Sequence, residues 1–468
     1  MRGSVRRRPR DLPAESVPRV LVVTYDFPPS MAMGAQACAQ IARYLPLHGW
    51  EPVVLTVEER YGESIGACSG QEFPWHVVRT SVIPHPTVLY RRLKSRLGWG
   101  DRSAAGSSGP DGNDVETERG GTVRRWVLSM FLIVDEYTGW FPPAVVAGLK
   151  AIRRDRVEHL FSSGPPWTAH LVGLTLSWIS GRPWLAHFRD PWNQGQQWQG
   201  KPVSALSRWI DGVLERMIVK RAAFIVCVTD QHTDMFRAMY GDVPSNKFVT
   251  VPNGFDEAEW EWAEPAKEVT SPGREGRFVI SYTGQLYQAR NPFPVFRALR
   301  ALIEAGDVDA KKIQIELIGW CEIAEGRRVE EMAAECGIGD RVNLRGPRSR
   351  TETLQKLAAS DLLLLLAEGL TAQIPGKTYE YLRTGRPILA LTSEGAVADL
   401  LRRAGGSWVV DPADEKGMVA ALREAYGRWE KGLPLPSADQ AIVSGFDRRV
   451  LAGRIAELFE RSVHGAPA

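Results

Sequence analysis

The chain has 468 residues, more than one hydrophobic core usually supports, so its length predicts two domains of roughly 200 residues each. A formal net charge of +3, with 24% charged residues, fits an ordinary globular protein and argues against a nucleic-acid-binding one. Five widely spaced cysteines, with no Cys-x-x-Cys pair, indicate neither a zinc site nor a disulfide framework and favour a reducing compartment.

The N-terminal end, residues 1–17, is a basic tail that contains the run RRRPR at residues 6–10. Its composition favours a solvated, disordered tail, and contact with anionic lipid is the alternative. We find no run of about 18 apolar residues that could span a bilayer and no N-terminal stretch that resembles a signal peptide. We therefore expect neither a membrane span nor export by that route.

Residues 18–256 are predicted to form a first domain of alternating strands and helices. The run RVLVVTY at 19–25 has a β-branched strand pattern, the segment QACAQIARYLPLHGW is helical, and EPVVLTV at 51–57 is the next strand. A strand-helix-strand unit of this spacing predicts a parallel, doubly wound sheet. Further strand patterns lie within residues 159–166, 182–192, 222–230 and 248–256.

Two segments of this domain differ from the rest. Residues 101–122 hold almost no large apolar side chain, which predicts a disordered surface insert. The run VRRWVLSMFLIV at 123–134 is apolar nearly all round but too short to span a bilayer. It fits a buried core helix, and the alternative is a segment that lies in the headgroup layer of a membrane.

A second domain is predicted over residues 278–440, after a charged linker at 257–277 that contains proline and glycine. Its strand patterns are FVISYTGQ, IQIELIGW, RVNLRGP, DLLLLLAEG, PILALTS and SWVVDP. Residues 441–468 are predicted to form a C-terminal helix that could cross back to the first domain. Because ligands of open α/β sheets lie at the carboxyl ends of strands, we expect the site in a cleft between the two domains.

Several residues near predicted strand ends suit a phosphate group. Gly34 lies in the loop before the first helix, where exposed N–H groups and a helix dipole attract anions, although a plain turn is the alternative. The loop lacks the G-x-G-x-x-G pattern, so binding of NAD or FAD is weakly supported. In the second domain, Gly284 ends a strand and Arg290 follows six residues later. With Lys377 at the same predicted sheet edge, Arg290 completes a pair of cations that suits a diphosphate.

The stretch IPGKTYEYLRTGRPILAL at 374–391 places Pro375 and Gly376 at the entry of a helix, with Lys377 and Glu380 one turn apart. The Glu380 carboxylate suits the vicinal diol of a ribose, while Gly376 and Lys377 would lie toward the phosphates. The alternative is an ordinary ion pair between Lys377 and Glu380 on the helix surface. The mostly apolar neighbours of Glu380 favour the ribose contact.

Five motifs, FPPSMAMG, RDPW, VPNGFD, YTGQLYQAR and IPGKTYEYLRTGRPILAL, occur in order over about residues 18–460. Together they resemble a family 4 (group 1) glycosyltransferase with the GT-B fold, which has two facing Rossmann-like domains. The resemblance implies that Gly34 approaches the donor phosphates, that Arg290 and Lys377 neutralise the diphosphate leaving group, and that Glu380 holds the ribose. It also implies retention of anomeric configuration and no metal ion or other cofactor.

The sequence departs from the family pattern at the donor site. The glutamate that often lies eight positions before Glu380 is Ala372 here, and Glu368 is out of register. Gln285 stands at a donor-site position where relatives commonly carry an arginine, which removes one cation from the diphosphate site. Nucleotide binding is therefore better supported than the details of sugar positioning.

His187 and Asp190, in the motif HFRDPW, are the further catalytic candidates and are predicted to follow a strand of the first domain. Many relatives carry an acidic residue at the position of His187. The histidine could hydrogen-bond the reacting sugar or accept a proton from the acceptor, and a structural histidine fits as well. Asp190 could equally cap a helix or pair with Arg189.

Acceptor-side candidates are the polar residues Asp135, Glu136 and His170, which lie in two loops of the first domain. Asp135 could act as a base or bind an acceptor sugar. A turn or cap role is the better interpretation of Asp135 alone.

These patterns are interpreted as a cytoplasmic, metal-independent hexosyltransferase that moves a sugar from a nucleotide-sugar donor to a glycan or lipid-linked acceptor. Surface polysaccharide assembly, at the inner face of the plasma membrane, is the expected setting. Two alternatives stay open: a sugar-nucleotide epimerase of the same fold, and a catalytically silent GT-B subunit that binds and regulates a partner. Ala372 and Gln285 keep the silent subunit open.

Overall fold

A computed structural model of the chain describes residues 17–30, 32–61, 73–83, 134–193, 204–261, 276–287 and 290–463. The chain divides into two compact units. The first contains the described residues within Met1–Val226, Tyr240–Val249 and Ile455–Ala468, and the second those within Cys227–Met239 and Thr250–Arg454. The predicted basic tail up to residue 16, the insert at 101–122 and the segment 123–133 lie outside the described residues.

A seven-stranded sheet forms the core of the first unit, with the order β3-β2-β1-β4-β5-β6-β7. Its strands are β1 (Arg19–Val23), β2 (Glu51–Val57), β3 (Val77–Thr80), β4 (His159–Gly164), β5 (Trp184–Phe188), β6 (Phe224–Cys227) and β7 (Phe248–Thr250). Neighbours from β3 to β5 pair in parallel. Residues 20–23 are fully buried, as expected for a strand covered on both faces.

The first unit contains four of the described helices. They are α1 (Met33–Tyr44), α2 (Phe141–Arg154), α3 (Thr168–Ser180) and α4 (Ala205–Arg221). Helix α3 ends at Gly181, whose φ of 71° is the left-handed conformation that commonly stops a helix. The sequence predicted the strands of this sheet except β3, a four-residue strand at the sheet edge.

The second unit is built on a six-stranded parallel sheet with the order β12-β9-β8-β13-β14-β15. Its strands are β8 (Phe278–Thr283), β9 (Ile313–Ile318), β12 (Val342–Gly346), β13 (Leu362–Leu366), β14 (Ile388–Leu391) and β15 (Ser407–Val410). The small antiparallel pair β10 (Ile323–Ala324) and β11 (Arg327–Arg328) was not predicted. The five leucines of β13 are all buried, which is why this strand reads as a continuous apolar run.

The helices that lie in the second unit follow the predicted alternation. They are α5 (Asp230–Met239), α6 (Glu257–Trp260), α7 (Phe293–Glu304), α8 (Val329–Glu335), α9 (Arg350–Ala358), α10 (Gly376–Thr384), α11 (Ala396–Ala404), α12 (Glu415–Glu430) and α13 (Gln440–Val443). Helix α6 differs from the prediction that residues 257–277 form a linker. Its four residues are helical because Asp256 caps the turn and Trp260 is buried.

A last helix, α14 (Arg448–Val463), begins in the second unit, and its residues from Ile455 onward belong to the first. There the Phe459 ring packs against Trp50, His159 and Phe161, with centroid distances of 4.9, 5.7 and 6.3 Å. Across the described ranges, every helix is too short or too polar to pass through a bilayer.

Both strand orders place a reversal beside the first strand of each sheet, between β1 and β4 and between β8 and β13. At such a point the following loops diverge, and a crevice opens at the carboxyl ends of the two strands. The first reversal is bordered by the loop before α1 and the loop after β4. The second is bordered by the loop after β8 and by residues 367–375, which lead into α10.

Candidate functional site

Lys377 lies at the reversal point of the second sheet, in the first turn of α10. Its Nζ donates a hydrogen bond to the Thr283 carbonyl, 2.6 Å away, and lies 4.0 Å from the centroid of the Tyr282 ring. Gly284 follows with a φ of 120°, and a Cβ at that position would be 2.8 Å from the Lys377 Nζ. Position 284 therefore needs glycine both for its backbone conformation and for the space that the ammonium occupies.

The environment of Lys377 is short of negative charge. Burial, and after it the nearby Arg290 guanidinium, lower the pKa of Lys377 to about 7, although Cys321 and Glu380 act in the opposite direction. The helix dipole also makes the start of α10 positive. An anion at this point would be attracted to the helix and would restore the proton on Lys377.

Arg290 and Gln285 lie in the loop after β8. The Arg290 guanidinium lies 4.1 Å from the centroid of the Tyr287 ring, and Tyr287 itself is exposed. The Gln285 side chain is exposed, and its carbonyl accepts a hydrogen bond from the Tyr282 hydroxyl at 2.9 Å. The structure thus brings Gly284, Gln285 and Arg290 to the strand end at which Lys377 lies.

Two residues after β9 fix this loop, and sequence reasoning missed both. Gly319 has a φ of 119°, and a side chain there would overlap the Gly284 carbonyl. Cys321 donates a hydrogen bond to the same carbonyl at 3.3 Å, and burial raises the pKa of its thiol to about 12, so the thiol remains a donor. The motif GWC directly after a buried strand was the available sign, because glycine at a strand end often permits a close backbone approach.

Glu380 lies on α10 and is 15% exposed. Its Oε1 accepts a hydrogen bond from Arg350 Nη2 at 2.7 Å, and Arg350 also donates to Glu259. The alternative interpretation, a surface ion pair between Lys377 and Glu380, is wrong for this structure because the Lys377 ammonium is directed to the Thr283 carbonyl. Neither Arg350 nor Glu259 was selected from the sequence.

The segment between β13 and α10 carries the departures from the family pattern. The Ala372 carbonyl accepts a hydrogen bond from Thr229 Oγ1 at 2.6 Å. Glu368 is exposed, and partial burial together with the neighbouring carboxylates of Glu325 and Asp411 raises its pKa. Pro375 precedes α10, and its carbonyl accepts the Thr378 N–H at 2.9 Å, which starts the helix.

Gly34 lies in the first turn of α1 in the first unit, where a Cβ would overlap the Arg189 guanidinium. Arg189 directly follows β5, and its Nη2 donates to the Pro165 carbonyl while its N–H donates to the Gly164 carbonyl. That Gly34 itself approaches a phosphate stays a prediction, and the structure adds the Arg189 guanidinium beside it. The arrangement still combines a cation with a helix N terminus.

His187 lies within β5 rather than after it, and it is buried. Its Nδ1 lies 3.1 Å from Ser163 Oγ, and its ring stacks on Phe161 with a centroid distance of 5.5 Å. These contacts favour the structural histidine over the proton acceptor. Asp190 follows Arg189 and is partly buried.

Of the acceptor-side candidates, only Glu136 is exposed. Asp135 accepts hydrogen bonds from the Thr168 N–H at 2.9 Å and from its hydroxyl at 2.5 Å, which caps α3. Burial raises the pKa of Asp135.

His170 is fully buried, and its Nδ1 lies 2.8 Å from Ser162 Oγ. Burial and the Arg189 charge lower the pKa of His170 to about 3. Asp135 and His170 therefore stabilise the fold here, which argues against their predicted contact with an acceptor.

Among the residues that the structure describes, no group of three or more His, Cys, Asp or Glu side chains is arranged to hold a metal ion. The positive charge of the second unit's candidate site comes from Lys377 and Arg290.

Two family models match the chain. The model of a glycosyl transferase 4-like domain matches residues 34–254, and the model of glycosyl transferases group 1 matches residues 277–428. No curated protein matches the chain.

Solved structures match over nearly the whole chain. HepE of Anabaena in complex with UDP has a TM-score of 0.60 and 14% identity, and covers 95% of this chain and 100% of that one. Sucrose-phosphate synthase of Thermosynechococcus elongatus has a TM-score of 0.61 and 14% identity, with coverages of 96% and 99%. The N-terminal domain of Candida albicans trehalose-6-phosphate phosphatase has a TM-score of 0.62 and 13% identity, with coverages of 95% and 97%. At these identities the similarity concerns the fold, and it confirms the predicted GT-B architecture.

We expect Lys377 to titrate with a pKa of about 7 instead of the usual 10.5, because burial and Arg290 both disfavour its charge. Reductive methylation with ¹³C-labelled formaldehyde and NMR would follow the amine, with Lys377→Arg identifying its resonance. Arg290→Ala should move the midpoint to higher pH, since it removes a like charge. A midpoint near 10 in the wild type would contradict the buried environment.

Proposed function

Because the chain belongs to the group 1 glycosyltransferases, we propose that it transfers a sugar from a nucleotide diphosphate donor to a glycan or lipid-linked acceptor, with retention of configuration. In this reaction the bond between the anomeric carbon and the diphosphate oxygen breaks, and a bond to the acceptor oxygen forms. The acceptor hydroxyl loses its proton, and the nucleoside diphosphate leaves with the bonding electrons. Retention rests on the family resemblance.

The observation that carries the proposal is the pair of cations, Lys377 and Arg290, at the carboxyl end of β8. Charge grows on the leaving diphosphate in the transition state, so fixed cations stabilise it more than they stabilise the bound donor. Lys377 has a depressed pKa in the free protein and gains a proton as the anion arrives. The complex of HepE with UDP, on the same fold, supports a nucleoside diphosphate as the ligand.

We also propose that the reaction needs no metal ion, since Lys377 and Arg290 can supply the charge that a divalent cation would otherwise bring to the phosphates. The Glu380 carboxylate, one turn further along α10, is assigned to the ribose hydroxyls. Asp190 keeps its predicted catalytic role, and Glu136 its predicted place near the acceptor, as proposals. We also propose a cytoplasmic location and a role in surface polysaccharide assembly.

A panel of UDP-, GDP-, dTDP- and ADP-sugars tests the activity. We expect one donor to raise the thermal unfolding temperature and to release its nucleoside diphosphate slowly in the presence of EDTA. Isomerised sugar without release would instead establish the epimerase, and no shift with any donor would favour the silent subunit.

Arg290→Ala should weaken the binding of the matching nucleoside diphosphate by about 10- to 100-fold, because a charge-assisted hydrogen bond contributes about 1.5–3 kcal/mol. Binding of the nucleoside without phosphates should not change. Calorimetry measures both affinities, and Arg300→Ala on α7, where Arg300 pairs with Glu304, is the matched control. An equal loss for nucleoside and nucleoside diphosphate would contradict the assignment.

We propose a peripheral contact with anionic membrane as the setting of the reaction. The segment 123–133 that suggested this lies outside the described residues, and Val134 at its end is buried. Helix α4 now supports the proposal through Leu206, Trp209 and Val213, which recur at helical spacing and are 49, 67 and 41% exposed.

The charges of α4 suit an anionic surface. Its acidic residues Asp211 and Glu215 are buried, whereas Arg208, Arg216 and Lys220 are exposed. Arg216 and Lys220 share one carboxylate, Asp242, at 2.7 and 3.2 Å, so positive charge remains in excess. Each basic residue near an anionic leaflet adds about 1 kcal/mol of attraction, which salt screens.

Wild-type protein should therefore float with anionic liposomes at low salt and less at high salt, whereas Trp209→Glu with Val213→Glu should remain at the bottom. The control is Leu47→Glu, which changes another apolar residue of the first unit that is 68% exposed. Unfolding of the double variant would be detected by circular dichroism. Failure of the folded wild type to float at low salt would remove the membrane contact.

A further inference from the structure

We infer that Arg350 is a positioning residue of the donor site, which holds the Glu380 carboxylate in place for hydrogen bonds from a ribose. Glu259 anchors Arg350 on its other side. The inference rests on the proposed function and assigns roles to two residues that no sequence pattern identified. It concerns the ribose end of the donor rather than its phosphates.

The backbone of Arg350 is rigidly placed. Arg350 is the first residue of α9, and a capping box formed by Ser349 and Glu352 closes the start of this helix. The Ser349 hydroxyl and N–H donate to Glu352 at 2.7 and 3.1 Å. The guanidinium therefore extends from a helix end at which the capping box satisfies the Ser349 and Glu352 N–H groups.

The guanidinium of Arg350 connects two carboxylates from different elements. Its Nε and Nη2 donate to Glu259 Oε2 at 2.9 and 2.7 Å, and Nη2 also donates to Glu380 Oε1 at 2.7 Å. Arg350 is 41% exposed, and Glu259 and Glu380 are 25 and 15% exposed. In the part of the chain that the structure describes, no donor is assigned to Glu380 Oε2, which leaves that oxygen for a ligand.

The charges of this trio suit a diol. One guanidinium and two carboxylates leave a net charge of −1, so the group still attracts hydrogen-bond donors. Partial burial lowers the pKa of Arg350, but Glu380 and Glu259 raise it more, so that the guanidinium stays charged at any working pH. A carboxylate whose Oε1 is fixed by such a cation keeps one orientation, and a ribose hydroxyl can then donate to Oε2 without reorganising it.

A second ion pair joins the same two elements and serves as a control. Arg383, also on α10, donates to Glu257 on α6 through Nη2 and through Nε, the latter at 3.0 Å, and its guanidinium lies 4.8 Å from the centroid of the Trp260 ring. This pair holds α6 against α10 as the trio does. Arg383 contacts Glu257 and Trp260, so losing this pair should affect stability without affecting the recognition of ribose.

Calorimetry with a ribonucleoside diphosphate and its 2′-deoxy counterpart tests the inference, using UDP, GDP and ADP as probes. Wild type should prefer the ribonucleotide by about tenfold or more, as expected for a hydrogen bond to a charged group. Arg350→Gln should reduce this preference to about twofold, as should Glu380→Gln, which removes the charge that accepts the hydroxyl. Arg383→Gln should keep the wild-type preference.

Glu259→Gln gives a second measurement. This variant weakens the anchor of the Arg350 guanidinium but leaves the guanidinium charged, so it should also lower the preference for the ribonucleotide. The inference would be overturned if a folded Arg350→Gln variant kept the wild-type preference. It would also be overturned if that variant bound the ribonucleotide more tightly, since Arg350 would then compete with the ribose. If Arg350→Gln does not fold, an unchanged preference in Glu259→Gln overturns it equally. Failure of wild type to bind any nucleoside diphosphate, dTDP included, would instead remove the proposed function, whereas binding of dTDP alone would overturn the inference and leave the proposed function standing.

Discussion

The contact between the Lys377 ammonium and the Thr283 carbonyl organises the second unit's site. It joins the start of α10 to the carboxyl end of β8, and it needs glycine at position 284 because the ammonium fills the space of a side chain. Gly319 then approaches the Gly284 carbonyl, so the loops after β8 and β9 and the start of α10 constrain one another. A lysine held in this way is placed before the ligand arrives, and once it carries its proton it stabilises a developing anion without further reorganisation.

Helix α10 is consequently polarised along its first turns. Its positive end comprises the helix N terminus, Lys377 and the nearby Arg290, whereas Glu380 with Arg350 and Glu259 forms a group of net negative charge one turn later. A nucleotide has the same order of charges, with phosphates at one end and a hydroxyl-bearing ribose beside them. The spacing of three residues thus matches a ligand that is anionic on one side and a hydrogen-bond donor on the other.

Most strands and their parallel arrangement could be predicted because buried parallel strands leave a strong pattern, as in the five leucines of β13. The residues of α10 could also be predicted, since Pro375, Gly376, Lys377 and Glu380 are adjacent in sequence. The Arg350 contacts could not, because Arg350 lies 30 residues from Glu380 and 91 from Glu259. Pairings at such separations depend on how the helices pack, which local patterns do not specify.

The same limit applies to the predictions for the first unit. There the sequence patterns identified candidate residues by their chemistry, but the roles of these residues depend on how their side chains pack. His187 is buried within β5 and stacks on Phe161, and Asp135 accepts hydrogen bonds at the start of α3. Arg189, treated only as a neighbour of Asp190, instead reaches the first turn of α1, where its guanidinium lies in the space that a side chain at position 34 would enter.

Ala372 has the clearest consequence for specificity. Its methyl group accepts no hydrogen bond, and its carbonyl is bound by Thr229. Glu368 cannot simply replace a carboxylate there, because it is exposed and faces the like charges of Glu325 and Asp411. Under the proposed function, more of the donor's binding free energy therefore comes from its nucleotide than from its sugar. Since each missing hydrogen bond to a charged group weakens discrimination by about 10- to 100-fold, sugars that differ at a single hydroxyl would be poorly distinguished by this segment. Selectivity for the sugar must then come from residues outside the α10 motif, whereas the selection of a ribonucleotide stays within it.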